Sequence, residues 1–96
     1  MTPAERALAL RSRIEAALRP IRLDIDDESH LHAGHAGARD GRGHYRVRIV
    51  SDRFAGVQRV ERHRMVYAAV GDLLQTDIHA LAVTALTPAE GGDPAG

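Results

Sequence analysis

The chain of 96 residues contains no cysteine, no lysine and no tryptophan. Without cysteine it forms neither a disulfide nor a thiolate zinc site, and it cannot hold an iron–sulfur cluster alone. Its 13 arginines balance 13 acidic residues, and a formal net charge of +0 argues against a general nucleic-acid-binding tail. Only 3% of the residues are aromatic, so we expect an aliphatic core.

The opening residues also lack a recognisable targeting signal or membrane span. Residues 1–20 contain Glu5 and Glu15 and no uninterrupted apolar run, whereas a spanning helix needs about 20 apolar residues. We therefore expect a cytoplasmic protein that does not contact a membrane.

Hydrophobic periodicity predicts a helix followed by two strands in the first half of the chain. A capping box runs from Thr2 to Glu5, and apolar residues then recur every three or four positions until Pro20 ends the helix. Apolar and polar residues alternate over 21–26 and again over 45–50, which is typical of strands with one buried face. We expect these strands to be antiparallel neighbours, joined by a long connection rich in glycine, histidine and aspartate.

The second half predicts another helix and a third strand. Residues 57–74 carry helical periodicity, either as one helix or as a short turn plus a longer helix, and Gly71 weakens the last turns. Residues 78–86 form an almost continuous apolar run, which favours a strand covered on both faces, and a right-handed crossover makes it parallel to the second strand. The order α-β-β-α-β predicts an α+β fold, in which a three-stranded mixed sheet has its helices on one face.

The mass of 10.4 kDa allows one small domain. We expect this domain to cover residues 1–88 and a flexible tail to cover residues 89–96. Residues 87–90 repeat the opening Thr-Pro-Ala-Glu, but the Gly-Gly-Asp-Pro sequence of residues 91–94 cannot continue a helix. We expect the isolated chain to be a monomer.

The histidines are the main candidates for chemistry. Four of the six lie between residues 30 and 44, namely His30, His32, His35 and His44. Imidazole is the commonest neutral metal ligand, so this segment predicts either a metal site or a solvated polar loop. His79 opens the last strand, where alternation places it at the rim of the buried face, either as a ligand or as a partly buried histidine bonded to main chain.

Five short segments carry a family resemblance. They are residues 27–35 (DESHLHAGH), 44–47 (HYRV), 49–56 (IVSDRFAG), 62–67 (RHRMVY) and 78–81 (IHAL). In this order they resemble the BolA family, and the similarity extends from about residue 8 to about residue 88, nearly the whole domain. The resemblance implies a fold similar to a type II KH domain, which agrees with the predicted element order.

The resemblance also implies a function. Members of the family bind monothiol glutaredoxins and share a bridged [2Fe–2S] cluster with them, so we expect a role in cluster transfer or in iron or redox sensing. The resemblance implies that His79 is a ligand or lies against the cluster, and that the second ligand comes from the loop, as a cysteine in one subgroup of the family and a histidine in another. Because this chain has no cysteine, it resembles the histidine-loop subgroup. His32 occupies the matching loop position, with His35 and His30 as alternates. A glutaredoxin cysteine and a glutathione thiolate would complete the site, so no cofactor is expected in the isolated chain.

A nucleic-acid-binding regulator is the alternative function, and an enzyme is the least favoured class. The alternative depends on arginines around the second helix that could contact phosphates: Arg53, Arg59, Arg62 and Arg64. The zero net charge and the few aromatics count against it, and a solvated helix face paired with Glu61 and Asp72 is the structural explanation. No Gly-x-Ser-x-Gly elbow or phosphate-binding loop is present, so we expect no enzymatic activity.

Overall fold

A three-stranded mixed sheet organises the protein. The computed structural model describes residues 2–29 and 43–91. The strands lie in the order β1-β2-β3, with β1 at Arg22–Asp27, β2 at Gly43–Val50 and β3 at Ile78–Leu86. β1 is antiparallel to β2, and β3 is parallel to β2, so both pairing predictions are confirmed.

Four helices accompany the described sheet: α1 at Pro3–Leu18, α2 at Arg59–Val70, α3 at Leu73–Thr76 and α4 at Pro88–Gly91. The predicted capping box of α1 is present. The hydroxyl of Thr2 accepts from the Glu5 N–H at 3.1 Å, and the Glu5 carboxylate accepts from the Thr2 N–H at 2.8 Å. This exchange satisfies two main-chain donors that the first turn leaves without helical partners.

The core lies between one face of the sheet and helices α1 and α2. Leu10 and Ile14 of α1 and Val66 of α2 are fully buried against the β2 side chains Val47 and Ile49. The core is largely aliphatic, as the composition predicts. Its fully or almost fully buried aromatic members are Phe54, in a short 3-10 turn after β2, and Tyr45.

Gly71 ends α2 rather than weakening it. Its φ of 63° lies in the left-handed region, and its N–H donates to the Tyr67 carbonyl at 2.9 Å. The Arg13 guanidinium of α1 then donates to the Val70 carbonyl at 2.8 Å and to Asp72 at 2.6 Å. The end of α2 is therefore attached to α1. The predicted helical region consists of the longer α2 and, after it, the short α3.

The prediction that β3 is covered on both faces is wrong. β3 is an edge strand, and its face opposite the helices carries Ala80, Ala82 and Thr84, of which the first and last are exposed. Alanine counts as apolar in the sequence pattern, but its methyl group buries little surface. The apolar run of β3 therefore did not require a second covering layer.

The predicted tail begins too early. Residues 88–91 form α4, and Thr87 and Glu90 form a second capping box with bonds of 2.9 and 3.2 Å. The Gly91 carbonyl accepts from the Arg48 guanidinium at 3.0 Å, and a Cβ at Gly91 would lie 3.2 Å from the Val50 side chain. Residues 89–91 are thus packed on the end of the sheet, and residues 92–96 lie outside the described part. No helix within residues 2–29 and 43–91 has the length and apolar character needed to cross a membrane.

Candidate metal centre

His79 lies at an irregularity where β3 begins. Gly43 pairs with Ile78, but the next residue of β2, His44, pairs with Ala80, so His79 is an extra residue in β3. Ile78 is fully buried whereas His79 is exposed. A bulge of this kind interrupts the alternation of faces and re-aims a side chain. The predicted position of His79 at the rim of the buried face is therefore wrong, because the alternation does not extend through the bulge.

The structure brings His44 and His79 together, a pair that sequence analysis did not link. Their ring centroids are 5.1 Å apart and the ring planes are inclined by 50°. His44 is buried, including both ring nitrogens, so the pair consists of one buried and one exposed imidazole. The strand order offered a signal for this contact. Both histidines are the second residue of their strand, and parallel strands place their first residues side by side.

The loop candidates His30, His32 and His35 lie outside the described residues. The choice between them as a second ligand therefore stays a prediction. Among residues 2–29 and 43–91, no three side chains of the histidine, cysteine, aspartate or glutamate types lie close enough to hold a metal ion.

Beside the bulge, on the face of the sheet that packs against the helices, Gly43, Tyr45 and Arg6 are closely packed. Tyr45 is almost fully buried, and burial raises the pKa of its phenol, although a hydrogen bond from Arg6 acts in the opposite direction and the charge of Asp27 adds to the increase. A Cβ on Gly43 would collide with the Tyr45 ring and lie 3.1 Å from Nη1 of Arg6. Glycine at this position therefore lets the Tyr45 ring pack directly beside the bulge.

The donor set fits a shared group better than a resident one. An [2Fe–2S] cluster takes four ligands, which are thiolates or, in part, imidazoles. The chain has no thiolate, and His79 is the exposed member of the pair, so an external partner can approach it. His79 therefore suits one ligand position of a cluster whose thiolates come from elsewhere.

The structure removes Arg62 from the proposed set of phosphate-binding arginines. Its side chain is buried and donates to the carbonyls of Val57 at 2.7 Å and Ala85 at 3.2 Å. It also binds both carboxylate oxygens of Glu90, at 2.5 and 3.3 Å. Its central carbon lies 6.0 Å from the centroid of the Phe54 ring. Helical periodicity predicted that the Arg62 side chain lies on a solvated helix face, but it is part of the interior.

The other three arginines, Arg53, Arg59 and Arg64, are exposed. Arg64 forms an ion pair with Glu61, as the structural explanation expected. Asp72, however, pairs with Arg13 of α1 and with none of these arginines. Arg53 and Arg59 form no ion pair within the part of the chain that the structure describes, so they remain available to an anionic partner.

Comparison with known proteins identifies the family. A sequence model of the BolA family, described as a BolA-like protein, matches residues 14–90. The chain belongs to the BolA family. This confirms the resemblance carried by the five segments, whereas membership of a histidine-loop subgroup stays a prediction.

Two relatives show how this BolA family protein compares with longer chains. It is 43% identical over 90 residues to SufE-like protein 1, chloroplastic/mitochondrial, of Arabidopsis thaliana, in a match covering 88% of this chain and 24% of that protein. It is 40% identical over 84 residues to the DNA-binding transcriptional regulator BolA of Escherichia coli (strain K12), covering 83% and 77%. The chain spans 24%, 55% and 60% of three of the curated relatives it matches.

A solved structure confirms the fold class. The BolA domain of SufE1 from Arabidopsis thaliana matches with a TM-score of 0.78 and 41% identity, over 88% of this chain and 94% of that one. The predicted α+β fold with a three-stranded mixed sheet is thus that of a BolA domain. Its likeness to a type II KH domain stays a prediction.

Proposed function

We propose that this BolA family protein binds a monothiol glutaredoxin and shares a bridged [2Fe–2S] cluster with it, for cluster transfer or for iron or redox sensing. His79 is one ligand, and a loop histidine, in the first place His32 with His35 and His30 as alternates, is the other. A cysteine of glutaredoxin and the thiolate of glutathione supply the remaining two positions. The isolated chain then holds no cluster and is a cytoplasmic monomer without enzymatic activity.

The observation that carries the proposal is the exposure of His79 at the β3 bulge. Its neighbour Ala80 and the next residue on that face, Ala82, are short, so they leave room for a partner to approach the ring. The similarity to SufE-like protein 1 also suggests an iron–sulfur-related role. When bound, a cluster with imidazole ligands is less negative and has a higher reduction potential than one with thiolates alone.

The test is reconstitution with a monothiol glutaredoxin, glutathione, iron and sulfide, followed by visible circular dichroism. The wild type is expected to give a spectrum distinct from that of the glutaredoxin homodimer. His79→Ala is expected to abolish or alter that spectrum, whereas His63→Ala, which removes another exposed histidine, is expected to leave it unchanged. Among the loop variants, the one that also changes the spectrum identifies the second ligand.

Two outcomes contradict the proposal. One is a wild-type mixture that shows only the homodimer spectrum. The other is a mixed-cluster spectrum that is the same for the wild type and for His79→Ala.

A nucleic-acid-binding regulator remains the second candidate because Arg53 and Arg59 are exposed and unpaired in the described part of the chain. The name of the Escherichia coli relative, a DNA-binding transcriptional regulator, also favours this candidate. In this case, affinity for duplex DNA is expected to fall steeply as salt increases, and Arg59→Ala is expected to reduce the slope by about one unit. A salt-independent affinity, or no change in Arg59→Ala, counts against it.

A further inference from the structure

We infer that His44 is a positioning residue for His79, holding the exposed imidazole in one orientation. The inference rests on the proposed function for its significance, because an oriented ligand matters only if His79 binds a shared group. The contact itself is a property of the isolated chain and is testable there.

The geometry of the pair is that of packed rings. A centroid separation of 5.1 Å and an inclination of 50° lie within the range in which flat side chains pack against each other. His44 is 7% exposed whereas His79 is exposed, so the buried ring forms a surface against which the exposed ring rests. A flat, buried neighbour of this kind removes part of the rotational freedom of the outer ring.

His44 is well placed to be the fixed member because both its main-chain N–H and its carbonyl are hydrogen-bonded. Its N–H donates to the Ser29 hydroxyl at 3.0 Å, and its carbonyl accepts from the Glu28 N–H at 2.8 Å. The Ser29 N–H in turn donates to the Asp27 carboxylate at 2.9 Å, which holds the chain at the end of β1. These bonds attach His44 to the residues that directly follow β1.

His79 lies beside small side chains of β3. As the extra residue of the bulge it has no opposite residue in β2, and the neighbours on the open face, Ala80 and Ala82, have only methyl side chains. His44, which is paired with Ala80, is the large side chain at this position. Replacing His44 by alanine therefore removes the large side chain against which the His79 ring packs, and we expect the main-chain bulge to stay intact.

The first test measures the His79 side chain in the isolated protein. Three-bond couplings that report the first side-chain torsion are measured by NMR in the wild type, His44→Ala and His44→Phe. The wild type is expected to populate one rotamer, His44→Ala several, and His44→Phe one again, because phenylalanine restores a flat ring. His63→Ala, which alters an exposed histidine of α2, is expected to have no effect.

The wild-type measurement is decisive even if His44→Ala fails to fold. A wild-type His79 ring averaged over several rotamers overturns the inference without any variant. A His79 ring that is equally ordered in a folded His44→Ala protein overturns it too.

The second test uses the mixed cluster with glutaredoxin. Ordering one side chain on binding costs an amount equivalent to about 2- to 10-fold in affinity. We therefore expect His44→Ala to weaken assembly of the mixed cluster by that factor without changing the shape of its spectrum, and His44→Phe to restore it. If His44→Phe abolishes the mixed spectrum as His79→Ala does, His44 is a ligand and the positioning role is wrong. If the wild type forms no mixed cluster, the proposed function fails, while the rotamer measurement still decides the inference.

Discussion

Replacing Arg62 by alanine tests whether its side chain belongs to the interior, in contrast to the exposed arginines of α2. In Arg62→Ala, the carbonyls of Val57 and Ala85 lose a charged donor, and Glu90 loses its guanidinium partner. The same change removes a buried aliphatic stem that packs beside the Phe54 ring. All these effects act in the direction of lower stability.

The magnitude follows from the two carbonyl contacts alone. A hydrogen bond that involves a charged group contributes about 1.5 to 3 kcal/mol, so the bonds to Val57 and Ala85 give about 3 kcal/mol at the lower end of that range. A domain of this size changes its melting temperature by about 4 to 8 °C for each kcal/mol. We therefore expect Arg62→Ala to lower the melting temperature by at least about 12 °C.

The assay is thermal and urea unfolding followed by far-ultraviolet circular dichroism, with Arg64→Ala as the matched control. Arg64 is two positions away on the same helix, but it is exposed and its ion pair with Glu61 lies in solvent. Such a pair contributes at most about 1 kcal/mol, and often nothing measurable. Equal losses for the two variants would refute the assignment of Arg62 to the interior and return it to the set of candidate phosphate contacts.

Two further predictions concern the ends of α2 and the C-terminal turn. Gly71→Ala and Gly56→Ala each place a side chain at positive φ, at a cost of about 1 to 3 kcal/mol. Gly71→Ala is expected to lower the melting temperature more than Gly56→Ala does, because a Cβ at Gly71 would lie 3.1 Å from Nη1 of Arg13 whereas a Cβ at Gly56 would meet nothing within 4 Å. Equal melting temperatures for the two variants would contradict this expectation. The hydrogen bond from Arg62, followed by the bond from the Thr87 N–H, lowers the pKa of Glu90 to about 2. Because this pKa lies below the ordinary value of 4.5, the stabilisation is complete above that pH and is lost as the pH falls towards about 2. The urea midpoints of the wild type and Glu90→Gln are therefore expected to differ at pH 7 and converge near pH 2, and a difference that persists there argues against the pair.

The elements with local signals were predictable from the sequence. The capping box at Thr2 and Glu5, the alternation over β1 and the alternation over β2 each depend on residues within a few positions of one another. Such patterns determine where an element begins and which face is apolar. The parallel pairing of β3 followed from the helical crossover between β2 and β3, which returns the chain to the end of the sheet where β2 began and is also independent of detailed packing.

The ends of the helical region and of the domain were less predictable because they depend on partners distant in sequence. The tetrapeptide Thr-Pro-Ala-Glu forms a capping box at both places where it occurs, yet the first opens a helix of 16 residues and the second a helix of four. The second turn is nevertheless packed, because its Glu90 reaches Arg62 and its Gly91 reaches Arg48. Neither contact is visible in the residues that surround the turn.

The candidate site shows the same limit in a sharper form. The sequence identified His79 by its place at the start of a strand, but a period of two could not reveal that the bulge turns it away from the buried face. It also could not identify His44 as a neighbour, because that neighbour is set by the register between two strands separated by the whole of α2 and α3. Once parallel pairing is inferred, however, the first residues of both strands must meet at one end of the sheet. Chemistry-bearing side chains at the starts of parallel strands are therefore worth comparing as pairs, and here that comparison selects the two histidines that the structure places in contact.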